Sequence, residues 1–134
     1  MIVIGVGNEW RHDDGAGLEV ARRVGGLQLG GEPIGLVDAL DGADEVVLVD
    51  AVSSGAPPGT LHVFEAGDGP LPVELFGSSS THALGVAEAI EIARSLGRLP
   101  RHVRVVGIEG ARFDYGRGLS SDVEEAVEEC TRSI

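Results

Sequence analysis

Apolar, β-branched residues gather in three short runs: MIVIGVG at the start, EVVLVDA at 45 to 51 and VRVVGIE at 103 to 109. Each run is nearly continuous rather than alternating, which predicts strands buried on both faces of a parallel sheet. GTLHVFEA, at 59 to 66, alternates apolar and polar instead, the pattern of a more exposed strand lying antiparallel at an edge. A short piece around Leu27 to Leu29 is expected to pair as a fifth strand.

Helical spacing fills the gaps between these runs. Asp13 or Asp14 is placed to cap a helix running to about Val24, a weaker helix lies at about 34 to 42, and Ser80 or Thr81 is placed to cap one from about His82 to Leu96. Gly97 and Pro100 stop that helix, and Ser121 with Glu124 has the spacing of a capping box for the last one. Strand and helix in alternation predict an α/β domain, a single unit over residues 1 to 134, with helices on both faces of the sheet. The only long connection is the Gly/Pro-rich stretch from 66 to 80.

Composition narrows the class. A chain of 134 residues, 43% hydrophobic and 24% charged, suits one core. No apolar run approaches the roughly 18 residues of a membrane helix, and the first strand passes into charged residues without a basic leader, so a soluble, cytoplasmic protein is expected. The formal charge of −12 disfavours nucleic acid and anionic membranes, because phosphate affinity comes from clustered basic residues. The single cysteine, Cys130, has no partner for an internal disulfide and reads as a half-buried helix residue.

GVGNEWRHDDGAG, from Gly5 to Gly17, raises the question of what the first loop holds. A dinucleotide fingerprint fails, since its third glycine would fall on Trp10, and a phosphate loop is excluded because all ten basic residues are arginines. Asp13 and Asp14 would also repel a phosphate at the helix start. A metal fits better. Beyond the carboxyl ends of the strands, where open parallel sheets bind ligands, Asp14 follows the first strand, Asp50 ends the third and Glu109 ends the last. His82 returns in the first turn of a helix after the long loop. Two carboxylates and one imidazole with open positions suit nickel, zinc or manganese. Taken singly, Asp14 reads equally as a helix cap and His82 as a first-turn residue bonded to a carbonyl. Asp50, an acid directly after VVLV, has fewer structural reasons to be there. His12, His62 and His102 read as surface or strand-flanking residues, with His12 of interest beside the acidic pair.

GVGNEWRHDDGAG, VVLVDAV, PGTLHVF, SSSTHALGVAEAI, the P-x-x-V-x-V-x-GIEG strand and GRGLSSDVEEAV occur in one order along nearly the whole chain. In these motifs the chain resembles the hydrogenase maturation endopeptidases, which trim the large subunit of nickel-iron hydrogenases. The resemblance implies a twisted, mostly parallel five-stranded sheet with helices on both faces, phosphorylase/hydrolase-like. It implies that Asp14, Asp50 and His82 form a metal site that recognises nickel already inserted in the large-subunit precursor, whose C-terminal peptide is then cleaved. The nickel is thus expected to be borne by the substrate, with another divalent metal possible at the same site. Many members carry D-G-G-T-x-G after the second strand, whereas LGGEPIG stands here, with Leu29 and Glu32-Pro33 in place of the Asp and Thr.

Two other functions are compatible with parts of the pattern. A peptidyl-tRNA hydrolase shares the strand, G-x-G-N, loop, helix opening, but the acidic HDDG and the net charge weigh against it. A metal-sensing or chaperone-like binding protein would keep the site and lack cleavage, since no nucleophile separate from the metal ligands is visible. For cleavage, either the metal polarises the scissile carbonyl and activates water, or Asp14 or Asp50 is the general base while the metal positions the substrate.

Overall fold

The β-branched run at the start forms β1 (Ile2–Val6), which pairs in parallel with β2 (Leu27–Leu29) on one side and β3 (Glu45–Val52) on the other. The third parallel neighbour is β5 (His102–Glu109), and β4 (Leu61–Glu65) closes the edge antiparallel to it. The five strands lie in the order β2-β1-β3-β5-β4. The computed structural model describes every residue except 31, 73, 74 and 76–80, and the side chains of all these except 81–84.

Among the described residues four α-helices cover this sheet: α1 (Ala16–Val24), α2 (Pro33–Leu40), α3 (Thr81–Ser95) and α4 (Ser121–Ser133). Successive strand residues point to opposite faces, so β3 supplies two cores at once. Val46, Leu48 and Val52 pack with Leu36 and Leu40 of α2 and Val86, Ile90 and Ala93 of α3. Val47, Val49 and Ala51 pack with Ala16 and Val20 of α1 and Val123, Val127 and Cys130 of α4. Burial on both faces is why these strands carry no polar alternation.

Alpha-helix α1 lies unusually close to the sheet because glycines meet there. A Cβ on Gly17 would stand 2.2 Å from the Val49 carbonyl oxygen and 2.7 Å from that of Val6. Both obstacles are backbone, so neither can swing away. Gly17→Ala is therefore expected to cost about 3 kcal/mol or more through forced separation of α1 from β1 and β3, read as a lower urea midpoint.

The expected caps at two helix starts are replaced. Neither Asp13 nor Asp14 caps α1; its N-cap is Gly15, preceded by a 3-10 turn over His12–Gly15. At α4 the N-cap is Ser120, and the capping box of Ser121 and Glu124 does not form. Both departures have one cause. The Asp13 carboxylate turns away from α1 and accepts hydrogen bonds from the backbone N–H groups of Ala111 (2.8 Å), Arg112 (2.9 Å) and Ser120 (2.7 Å), and from the Ser120 hydroxyl (2.8 Å). A buried carboxylate attracts donors more strongly than a helix end does, and Glu124 is engaged by Arg23 of α1. The capping expected of Ser80 or Thr81 lies outside the described residues.

Candidate active site

The loop between β1 and α1 turns where the sequence places its glycines and asparagine. The Asn8 side-chain oxygen accepts the Trp10 N–H at 3.0 Å and its carbonyl accepts the Arg11 N–H at 3.2 Å, forming the tight turn that follows β1. Gly7 admits the close return of the chain: a Cβ there would lie 2.0 Å from the Asp14 carbonyl oxygen, which accepts the Asn8 N–H at 3.3 Å. Asp14 is in this way held directly beyond β1, buried, on a turn that packs against β3.

Asp50 is fully buried and lies within β3, which continues to Val52 instead of ending at the acid as expected. Its Oδ1 accepts the Ala51 N–H at 2.9 Å, which fixes the orientation of the carboxylate. By strand alternation its side chain shares the face of Leu48 and Val52, the face covered by α2 and α3. The backbone of His82 lies in the first turn of α3, a helix that packs against β3; its side chain falls outside the described residues. Two of the three expected ligands, Asp14 and Asp50, thus sit buried near the carboxyl ends of neighbouring strands. Among the described residues no three His, Cys, Asp or Glu side chains gather into one metal-binding group.

Across the sheet from Asp50 the register is informative. Asp50 pairs with Gly107, and Gly107 pairs with His62, so no side chain stands between the acid and the imidazole in that row. His62 is not the surface residue its position in an alternating strand indicates. Its Nε2 lies 3.1 Å from Oε1 of the buried Glu109, which also accepts the Ser54 N–H at 2.8 Å and the Ser54 hydroxyl at 2.6 Å. Glu109 therefore belongs to a second polar cluster that ties the start of the β3–β4 connection to the end of β5. His12 takes a supporting place as well, its Nδ1 3.1 Å from the Gly118 carbonyl oxygen. His102 is exposed at the start of β5.

The adjacent acids of the first loop have different work. Burial alone would raise the Asp13 carboxyl, but the donors of Ser120, Ala111 and Arg112 outweigh it and hold the group below its usual 3.8. Asp13 is a structural anion. Cys130 is buried in α4, and burial together with the nearby Glu129 pushes its thiol up to about 11, which leaves no thiolate for nucleophilic attack near neutral pH.

An α/β sheet with buried acids near the carboxyl ends of adjacent strands has the layout of a ligand-binding or catalytic crevice. The family model for hydrogenase maturation protease matches residues 18–134, and the chain belongs to that family. It is 31% identical to the hydrogenase expression/formation protein HupD of Thiocapsa roseopersicina over 95% of its own length, and spans 62% of that relative. In solved structures, the [NiFe] hydrogenase maturation protease HybD from Thermococcus kodakarensis aligns with a TM-score of 0.77 and 26% identity, covering 98% of this chain and 94% of the other. The hydrogenase maturating endopeptidase HybD from E. coli aligns with a TM-score of 0.82 and 24% identity over 98% of this chain and 87% of the other, a likeness of fold. No helix among the described residues is long and apolar enough to cross a membrane.

Proposed function

We propose that this chain is an endopeptidase that removes the C-terminal extension of a nickel-iron hydrogenase large-subunit precursor after nickel insertion, acting in the cytoplasm. The observation that carries it is family membership over residues 18–134 combined with two buried carboxylates, Asp14 and Asp50, at the carboxyl ends of β1 and β3. Asp14, Asp50 and His82 are the residues that meet the substrate. Nickel arrives as part of the precursor, and these three side chains complete its coordination when the proteins dock. A site of two carboxylates and one imidazole, without thiolate, holds a free ion weakly. Recognition of the loaded precursor is then shared between the protein interface and the ion.

The chain's own contribution to chemistry is to hold the reacting end of the precursor against two carboxylates in a water-poor setting. Either carboxylate can serve as general base towards the attacking water. The direct test incubates the purified chain with nickel-loaded precursor and weighs the large subunit. A mass loss equal to the C-terminal extension is expected. Stable binding with no mass loss would instead mark a metal-sensing binding protein.

A further inference from the structure

We infer that the exposed Trp10–Arg117 and Tyr115–Arg11 pairs form the surface on which the folded body of the precursor seats. The inference rests on the peptidase reading above and adds where the substrate is held. The chain has one tryptophan and one tyrosine, and both are exposed, Trp10 at 54% and Tyr115 at 82%. They stand on two loops, the one after β1 and the one after β5, and each carries a guanidinium over its ring. Arg117 lies 4.8 Å from the Trp10 centroid and Arg11 lies 5.6 Å from that of Tyr115. Tryptophan, tyrosine and arginine are the residues that dominate protein interfaces, because they bring large area at little cost in side-chain freedom.

The loops that carry the rings are also tied together. The Gly116 N–H donates to the Trp10 carbonyl and the His12 N–H to the Gly116 carbonyl, each at 2.8 Å. Arg11 Nε donates to the Phe113 carbonyl at 3.0 Å, and the Asp13 carboxylate binds the second loop from below. A stitched platform of this kind loses little freedom on binding.

Position and charge choose the occupant. The first loop is the one that carries Asp14, so a protein whose scissile segment reaches Asp14 and Asp50 lies against this rim. The chain as a whole carries −12, yet the rim exposes Arg11, Arg112 and Arg117 against Glu9 and Asp114. It is the place where an acidic face can approach an otherwise repulsive surface. Beside Trp10 an open groove of about 410 Å³, lined by Gly7, Asn8, Leu18 and Leu29, has room for a side chain of that partner. Both rings stand on exposed loops, which suits the surface of a folded subunit more than an extended tail.

The test measures binding and chemistry separately, with nickel-loaded precursor and with the large subunit already lacking its extension. Trp10→Ala and Tyr115→Ala are each expected to weaken binding of both proteins by about 30-fold, the scale of an interface hot spot. Cleavage at saturating enzyme in a single turnover should stay at the wild-type rate, and circular dichroism should be unchanged. Leu96→Ala, which removes an exposed apolar side chain at the far end of α3, should bind and cleave as wild type does. Wild-type affinity should fall as salt rises, as an acidic face requires. Unchanged binding in both aromatic variants would overturn the inference, as would competition by the free extension peptide but not by the trimmed subunit. An affinity indifferent to salt would contradict the acidic face. If the wild-type chain binds the precursor and never cleaves it, the peptidase reading fails while the affinities still decide the platform.

Discussion

Asp50→Ala is expected to lower precursor cleavage by about a hundredfold to a thousandfold, the scale on which loss of one electrostatic contact at a reacting carbonyl falls. The fold should survive the change. Asp50 is fully buried in β3, and taking a carboxylate out of water is itself costly, so its removal offsets part of what is lost with the hydrogen bond to Ala51. Stability is expected to stay within about 1 kcal/mol of wild type or to rise, measured by thermal melting alongside cleavage. His82→Ala should follow the same pattern, since the change falls in the first turn of α3 and leaves the body of the helix in place. A loss of stability that matched the loss of activity in both variants would make these residues structural and remove them from the site.

Asp13→Ala should do the reverse, although it alters the neighbouring acid of the same loop. Its carboxylate is the common acceptor for the N–H groups of Ala111, Arg112 and Ser120, and the variant leaves these donors without it. These part-buried N–H groups lose a charged acceptor, and at about 1 kcal/mol each a loss of about 3 kcal/mol is expected, a large part of the stability of a small domain. The loops after β1 and β5 should separate and proteolysis there should speed up. Titration carries the same signature. The folded Asp13 has its pKa lowered, so the stability it contributes is complete above the ordinary value of 3.8 and is lost as pH falls toward the lower folded value. Wild type should therefore lose stability below about pH 4 more steeply than Asp13→Asn does. Equal stability of wild type and Asp13→Ala at neutral pH would contradict the division of labour between the two acids.

The strands were legible because both faces of β1, β3 and β5 are buried, and such strands write their positions as continuous apolar runs. The edge position of β4 showed in its alternation, and its antiparallel pairing follows. Asp14 and Asp50 stood out because acids beside such runs need a reason to be there. What stayed hidden depends on contacts between distant segments. Nothing near Asp13 in the chain announces that its donors come from residues 111, 112 and 120. Local spacing therefore assigned it to a helix end and placed the α4 cap one residue late. The union of His62, Glu109 and Ser54 depends on the register of β4 against β5, which alternation alone leaves open. The stacking of Arg117 on Trp10 likewise spans two loops that meet only in the fold.

The proposed role of substrate-borne nickel, completed by Asp14, Asp50 and His82, in licensing cleavage is tested most directly by giving chelator-treated enzyme two precursors that differ only in nickel. The loaded precursor should be trimmed without added metal, and the empty one should remain full length. Equal trimming of both, or trimming of the loaded form only after metal is returned to the enzyme, would contradict the claim.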